Sequence, residues 1–211
     1  MTESEIVGTP AGDARITWHP APGRARLVLA LSHGAGGGVD ARDLRALAVG
    51  LPAAGVSVAL VEQPWRVAGK KIAPAPKTLD TAWRGLWPAL AEKGLPIIAG
   101  GRSAGARVAC RTARELGARA VLALSFPLHP PGRPEKSRAD ELLGAGVPVL
   151  VVQGGSDPFG RPEEFPDGAY ELIAVDAADH ALSVPERAAV TQREVLGSVV
   201  DGVRRWITAL V

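Results

Sequence analysis

A serine lies at a turn that is suited to nucleophilic chemistry. The segment Gly101-Arg102-Ser103-Ala104-Gly105 matches the pattern G-x-S-x-G. The apolar run Leu95 to Ala99 before it predicts a strand, and Ala104 to Leu116 after it predicts a helix. A tight strand-to-helix turn holds a serine hydroxyl clear of a sheet, where it can attack a substrate. Ser103 is therefore the candidate nucleophile, and the alternative is a serine that only caps a helix.

A nucleophilic serine needs a base, and the chain offers four histidines as candidates. His180 lies in a loop after the last predicted strand, Tyr170 to Val175, and before the final helix. His19 and His33 precede the serine, and His129 lies between two prolines. Because the base must reach over the sheet toward the serine, its position in the chain selects His180. The alternative is a solvated loop histidine.

A carboxylate is needed to orient the base, and Asp157 is the candidate. It follows the apolar run Val147 to Val152 on a turn rich in Gly and Pro. A carboxylate there can accept a hydrogen bond from the histidine ring and stabilise the imidazolium. Asp157 as a plain turn residue is the alternative. Asp176 and Asp179, which are closer to the histidine in sequence, remain fallback candidates.

Backbone amides that hold a developing oxyanion are predicted at a glycine-rich loop. Ser32 to Gly38 follow a predicted strand, and their glycines let N–H groups turn toward a developing alkoxide. The N–H of Ala35, or that of Gly34, is expected to act together with the N–H of Ala104. His33 is expected to shape this loop by hydrogen bonding.

The elements that must position these residues alternate regularly. Short runs rich in Val and Leu and bounded by Gly or Pro are typical of strands that are buried on both faces of a parallel sheet. The pattern predicts a three-layer α/β/α sandwich with a mostly parallel sheet and an N-terminal antiparallel hairpin, in a single domain over residues 1–211. The predicted strands are Arg26 to Leu31, Val56 to Val61, Pro96 to Ala99, Ala120 to Leu124, Val147 to Val152 and Tyr170 to Val175.

The remaining segments predict the hairpin and the helices. Ile6-Val7 and Arg15 to Trp18 would pair around Pro10 to Asp13. A stripe of apolar residues marks the last helix within Arg187 to Leu210. The other predicted helices are Asp43 to Ala54, Leu79 to Lys93 with a kink at Pro88, Ala104 to Leu116 and Lys136 to Leu143.

Composition excludes several classes of protein. The formal net charge of +2 gives no strong field for nucleic acid or an anionic membrane, so neither is an expected partner. The one cysteine, Cys110, excludes a disulfide scaffold and a cysteine-based zinc cluster. No metal-ligand cluster and no membrane span is found in the sequence, and the acidic start lacks a signal-peptide pattern. We expect a cytoplasmic protein, and its oligomeric state stays open.

These motifs resemble those of the α/β-hydrolase superfamily, and within it the small enzymes that are similar to dienelactone hydrolase. The resemblance implies a serine hydrolase for a small acyl substrate, an ester or thioester, with a Ser103–Asp157–His180 triad and no cofactor. Dienelactone hydrolase itself uses a cysteine nucleophile, so its own substrate is not expected here. Only Ser125 to Gly146 could form a cap, which predicts an open site. The matching segments are Ser32-His33-Gly34-Ala35-Gly36, Gly101-Arg102-Ser103-Ala104-Gly105, Gly154-Gly155-Ser156-Asp157-Pro158 and Asp179-His180.

Two other functions are weighed against this one. Gly36 to Ala41 fits the dinucleotide-binding pattern G-x-G-x-x-A, and Glu62 ends the next predicted strand. That interpretation leaves Ser103 and His180 without a task. A hydrolase fold can also serve as a non-catalytic interaction module, because fold does not fix function. The basic loop Trp65 to Lys71 is either a wall of the site or a solvated loop.

Overall fold

The computed structural model describes residues 2–210 and contains one eight-stranded sheet. Its strand order is β1-β2-β4-β3-β5-β6-β7-β8. The strands are β1 (Glu3–Thr9), β2 (Gly12–His19), β3 (Leu27–Ser32), β4 (Val56–Glu62), β5 (Ile97–Arg102), β6 (Ala120–Leu124), β7 (Val149–Gly154) and β8 (Glu171–Val175).

The sheet is parallel from β3 to β8, and only the N-terminal hairpin runs against it. β1 and β2 pair antiparallel from Glu3↔Trp18 to Thr9↔Gly12, and β2 then pairs antiparallel with β4. The residues of β3 and β6 are all buried, as expected for strands that are covered on both faces. In such a sheet the carboxyl ends of the parallel strands lie along one edge, which is where ligands usually bind.

In the part of the chain that the structure describes, six α-helices cover the two faces of the sheet. One hydrophobic cluster packs α1 and α6 against one face, and a second packs α2 to α5 against the other. The predicted three-layer α/β/α architecture with an N-terminal hairpin is thereby confirmed. The helices are α1 (Arg42–Gly50), α2 (Pro64–Val67), α3 (Pro76–Ala91), α4 (Ala104–Thr112), α5 (Ala139–Leu143) and α6 (Gln192–Leu210).

The structure changes the predicted elements at their ends. The helix predicted over Ala104 to Leu116 ends at Thr112, followed by turns, and the helix within Arg187 to Leu210 begins at Gln192. The segment Trp65 to Lys71 was predicted as a loop, but its first residues belong to the short helix α2, because Pro64 starts a helical turn. No helix of residues 2–210 combines the length and the apolar character that crossing a membrane requires.

Candidate active site

Ser103 lies on a strained turn between β5 and α4. Its backbone has φ 53° and ψ −110°, a conformation that residues other than glycine rarely adopt. Its N–H donates to the carbonyl of Leu124, with 2.9 Å between nitrogen and oxygen, which ties the turn to β6. Backbone strain of this kind persists only where the surrounding structure enforces it, and it is concentrated at functional sites.

Two glycines make this turn sterically possible. A Cβ added at Gly101 or at Gly105 would lie 2.5 Å from the carbonyl oxygen of Ser32 in β3. Both contacts are with backbone, which cannot move aside as a flexible side chain does. The small residues two positions before and after the serine therefore let α4 begin directly against the neighbouring strand.

Replacing Gly105 with alanine is expected to lower the free energy of unfolding by about 1–3 kcal/mol, because the new methyl group overpacks the contact with Ser32. The matched control is Gly197→Ala in α6, where an added Cβ meets nothing within 4 Å. There alanine should raise the free energy of unfolding by up to about 1 kcal/mol through its better helix propensity. Urea denaturation of the two variants measures both changes, and the same sign for both would contradict the packing argument.

The structure brings the three predicted side chains into one hydrogen-bonded row. His180 Nδ1 lies 2.7 Å from Asp157 Oδ2, and His180 Nε2 lies 3.0 Å from Ser103 Oγ. A carboxylate only accepts, so Nδ1–H donates to Asp157, and Nε2 is left to accept the proton of the serine hydroxyl. Asp157 is fully buried, whereas Ser103 and His180 are partly exposed, so the row runs from the interior to the surface.

Asp157 and His180 are themselves held by residues that the sequence did not single out. The Gln153 Nε2 donates to Asp157 Oδ2 at 2.9 Å, and the backbone N–H of Phe159 donates to Asp157 Oδ1 at 2.8 Å. The Phe159 ring lies against the imidazole of His180, with 4.2 Å between ring centroids. A polar Gln153 at the end of an otherwise apolar strand is the signal that could have pointed to its role.

The fallback residues lie elsewhere. Asp179 Oδ1 accepts hydrogen bonds from the backbone of its own loop, from Ala181 and Ser183 at 2.7 and 2.9 Å. Asp176 is exposed. His129 Nε2 lies 3.2 Å from Glu164, away from the serine.

The glycine-rich loop after β3 passes directly beside the serine. A Cβ added at Gly34 would lie 3.2 Å from the Cβ of Ser103, and Ala35 and Ala104 line the same small cavity. Ala104 is the first residue of α4, so its N–H is one of those that have no partner within the helix. The two residues whose N–H groups are expected to hold the oxyanion thus both lie beside the serine.

His33 holds this loop in shape. Its Nδ1–H donates to the carbonyl of Gly34 at 2.8 Å, and its Nε2 accepts from the backbone N–H of Gln63 at 3.1 Å. An imidazole that accepts at Nε2 is neutral, and burial lowers the pKa of His33 in the same direction. His33 thus shapes the loop by hydrogen bonding, as expected from the sequence, and in addition ties the loop to the end of β4.

Arg102, next to the serine, pairs inside the protein. Its Nε lies 3.1 Å from the carboxylate of Asp43, which is fully buried at the start of α1, and its Nη2 donates to the carbonyl of His180. Burial raises the pKa of Asp43, and the positive charge of Arg102 opposes that shift. Arg102 is therefore paired with a buried carboxylate. The pair joins the turn, the histidine loop and α1.

The segment between β6 and β7 packs beside α4. Its helix α5 carries Glu141, which forms ion pairs with Arg107 and Arg111 of α4 at 2.5 and 2.8 Å. Glu62, the acidic residue of the dinucleotide interpretation, forms an ion pair with Arg15 at 2.9 Å. Within residues 2–210, no cluster of three His, Cys, Asp or Glu side chains could hold a metal ion.

The fold is shared with known hydrolases. The chain matches a serine hydrolase without lid from Xanthomonas campestris at 16% identity and a TM-score of 0.74, over 97% of this chain and 94% of that one. It matches dienelactone hydrolase from Anabaena variabilis at 18% identity and a TM-score of 0.76, over 99% and 97%. It matches Est1E from Butyrivibrio proteoclasticus at 16% identity and a TM-score of 0.71, over 97% and 99%.

A family model described as an alpha/beta hydrolase domain matches residues 24–208. That range covers the parallel sheet, the glycine-rich loop and the three residues of the hydrogen-bonded row. The resemblance read from the sequence motifs is thereby confirmed. The chain belongs to the alpha/beta hydrolase family.

Proposed function

We propose that this protein is a serine hydrolase that cleaves a carboxylic ester or thioester of a small molecule through an acyl-enzyme. The observation that carries the proposal is the row in which His180 lies between Asp157 and Ser103, at 2.7 and 3.0 Å. The hydroxyl, the imidazole and the carboxylate follow one another in the order that nucleophilic catalysis needs. The family and the fold of the structural neighbours support hydrolysis.

In the acylation step, Ser103 Oγ attacks the carbonyl carbon and its proton passes to His180 Nε2. The carbonyl oxygen becomes an oxyanion, which the N–H groups of Ala35 and Ala104 stabilise. Asp157 stabilises the imidazolium without taking its proton. The bond to the leaving group then breaks, and the leaving oxygen or sulfur takes the proton from His180.

In the deacylation step, water replaces the leaving group. His180 takes a proton from the water, and the resulting hydroxide attacks the acyl carbon. When the second tetrahedral intermediate collapses, Ser103 recovers its proton from His180 and the carboxylic acid leaves. The cycle consumes one water and needs no redox partner.

The proposal is tested by covalent labelling with a fluorophosphonate probe. We expect the probe to modify Ser103, because His180 accepts the serine proton and raises the nucleophilicity of the oxygen. Mass spectrometry of the digested protein identifies the modified residue. The Ser103→Ala variant should not be labelled, and Ser125→Ala, which changes another serine of positive φ, should be labelled like the parent protein.

A folded protein that resists the probe would instead favour the non-catalytic interaction module. The fold of the Ser103→Ala variant is checked by its thermal unfolding. Equal labelling of the parent protein and Ser103→Ala would show that another residue reacts, and would contradict the assignment of the nucleophile.

A further inference from the structure

A groove of about 510 Å³ lies between the β1–β2 turn, the end of β4, α2 and the start of α3. Small-molecule sites usually fall between about 300 and 1,000 Å³. The groove wall is more apolar than polar, with Trp65, Val67, Ile72 and Leu79 among its residues, and Asp13 and Lys70 also border it. Its size and lining suit an uncharged, mostly apolar chain.

A small cavity, which we call the passage, lies between the groove and the glycine-rich loop beside the serine. This cavity measures about 10 Å³ and shares Gln63, Trp65 and Leu79 with the groove. Its other wall includes Ala35 and Ala104, whose N–H groups are proposed to hold the substrate oxyanion. A volume of this size holds about one water-sized group, so the gap between the groove and the glycine-rich loop is narrow.

One polar side chain lies where the groove meets this passage. Gln63 follows β4, is 2% exposed, and has its backbone fixed by the hydrogen bond to His33. Neither Nε2 nor Oε1 of its side chain has a hydrogen-bond partner among the residues that the structure describes. Buried amides are normally paired, because an unpaired donor or acceptor loses its hydration without compensation. The Gln63 amide therefore offers one donor and one acceptor to a ligand.

The position of His180 decides which half of the substrate reaches Gln63. The leaving group must lie near His180 Nε2, because it receives its proton from that atom. The cavity beside Gln63 is lined by Ala35 and Ala104, the residues of the proposed oxyanion site, and His180 is not among its lining residues. The acyl half is thus the part that extends through the passage into the groove.

We propose that Gln63 and this groove form an acyl subsite that selects a medium-length chain carrying one neutral hydrogen-bonding group, for which a hydroxyl is the simplest case. The inference rests on the proposed hydrolase function, and it adds the class of acyl group. A hydroxyl both donates and accepts, so it can satisfy Oε1 and Nε2 of Gln63. A plain alkyl chain leaves the buried amide unpaired, which makes it the poorer substrate.

The first test compares four p-nitrophenyl esters: hexanoate and its 2-, 3- and 6-hydroxy derivatives. For each hydroxy ester, the ratio of its kcat/KM to that of hexanoate is measured in the parent protein and in Gln63→Met. Methionine is unbranched and of similar length, so it removes the amide with little change in shape. We expect the ratio to fall by about tenfold or more in Gln63→Met for at least one hydroxyl position. An unchanged ratio at all three positions would overturn the inference.

The second test measures binding without turnover. Ser103→Ala is titrated with ethyl hexanoate and with the ethyl hydroxyhexanoates, and tryptophan fluorescence reports binding because Trp65 lines the groove. We expect a hydroxy ester to bind more tightly than ethyl hexanoate, and the difference to disappear in Ser103→Ala/Gln63→Met. Equal affinities for all esters would overturn the acyl subsite. If this binding test shows a preference but the fluorophosphonate does not label the parent protein, the subsite is retained and the hydrolase is rejected.

Discussion

The His180→Ala variant is expected to hydrolyse p-nitrophenyl acetate with a kcat lower by about four or more orders of magnitude. Without the imidazole, nothing at 3.0 Å from Ser103 Oγ accepts the serine proton, and nothing returns it to the leaving group. The remaining rate comes from the oxyanion site and from substrate binding alone. The release of p-nitrophenol under substrate saturation measures this loss directly.

The matched control is His129→Gln. His129 is buried and, like His180, faces a carboxylate, in its case Glu164 at 3.2 Å, but it lies outside the row. Glutamine keeps a hydrogen-bonding group there, and we expect kcat to remain close to that of the parent protein. A His180→Ala variant that keeps its fold and near-full activity would show that His180 is not the base.

Local sequence patterns predicted the fold and the three residues that form the row. Strand β6 has the same bounds as the apolar run Ala120 to Leu124 that predicted it, because a strand that is buried on both faces consists of consecutive apolar residues. The turn at Ser103 was predicted from neighbouring residues alone, since its glycines, strand and helix are adjacent in the chain. His180 and Asp157 followed from the ends of predicted strands, because parallel strands place those ends along one edge.

The residues that support the row could not be predicted in the same way. Arg102 and Asp43 are 59 positions apart in the numbering and meet only after β3 and β5 have paired. The side chain of Gln153 donates a hydrogen bond to Asp157, and the loop that follows β7 determines where that carboxylate lies. Gln63 adjoins the strand end at Glu62, but a glutamine in that position carries no pattern that distinguishes a buried amide from an exposed one. Such roles depend on packing between distant segments, which periodicity does not encode.

The Asp157→Asn variant is expected to lower kcat for the same ester by about four orders of magnitude while the protein stays folded. The backbone N–H of Phe159 cannot turn away from Oδ1, so the asparagine oxygen stays there and the NH₂ takes the place of Oδ2, at the cost of the hydrogen bond from Gln153 Nε2. The NH₂ group faces His180 Nδ1, which must then accept. The ring proton moves to Nε2 and points at Ser103, so the imidazole can no longer take the proton of the serine hydroxyl.

The outcome separates orientation of the base from simple destabilisation of the loop. Asp179→Asn is the matched control, because Asp179 uses only Oδ1 as an acceptor and asparagine retains that oxygen. We expect Asp179→Asn to change kcat by less than about tenfold, because Asp179 lies outside the row and the substitution keeps its loop hydrogen bonds. An exposed substitution of this kind also changes the stability only slightly. Thermal unfolding of both variants accompanies the kinetic measurement. An Asp157→Asn protein with kcat near that of the parent would mean that the tautomer of His180 is fixed by a group other than Asp157.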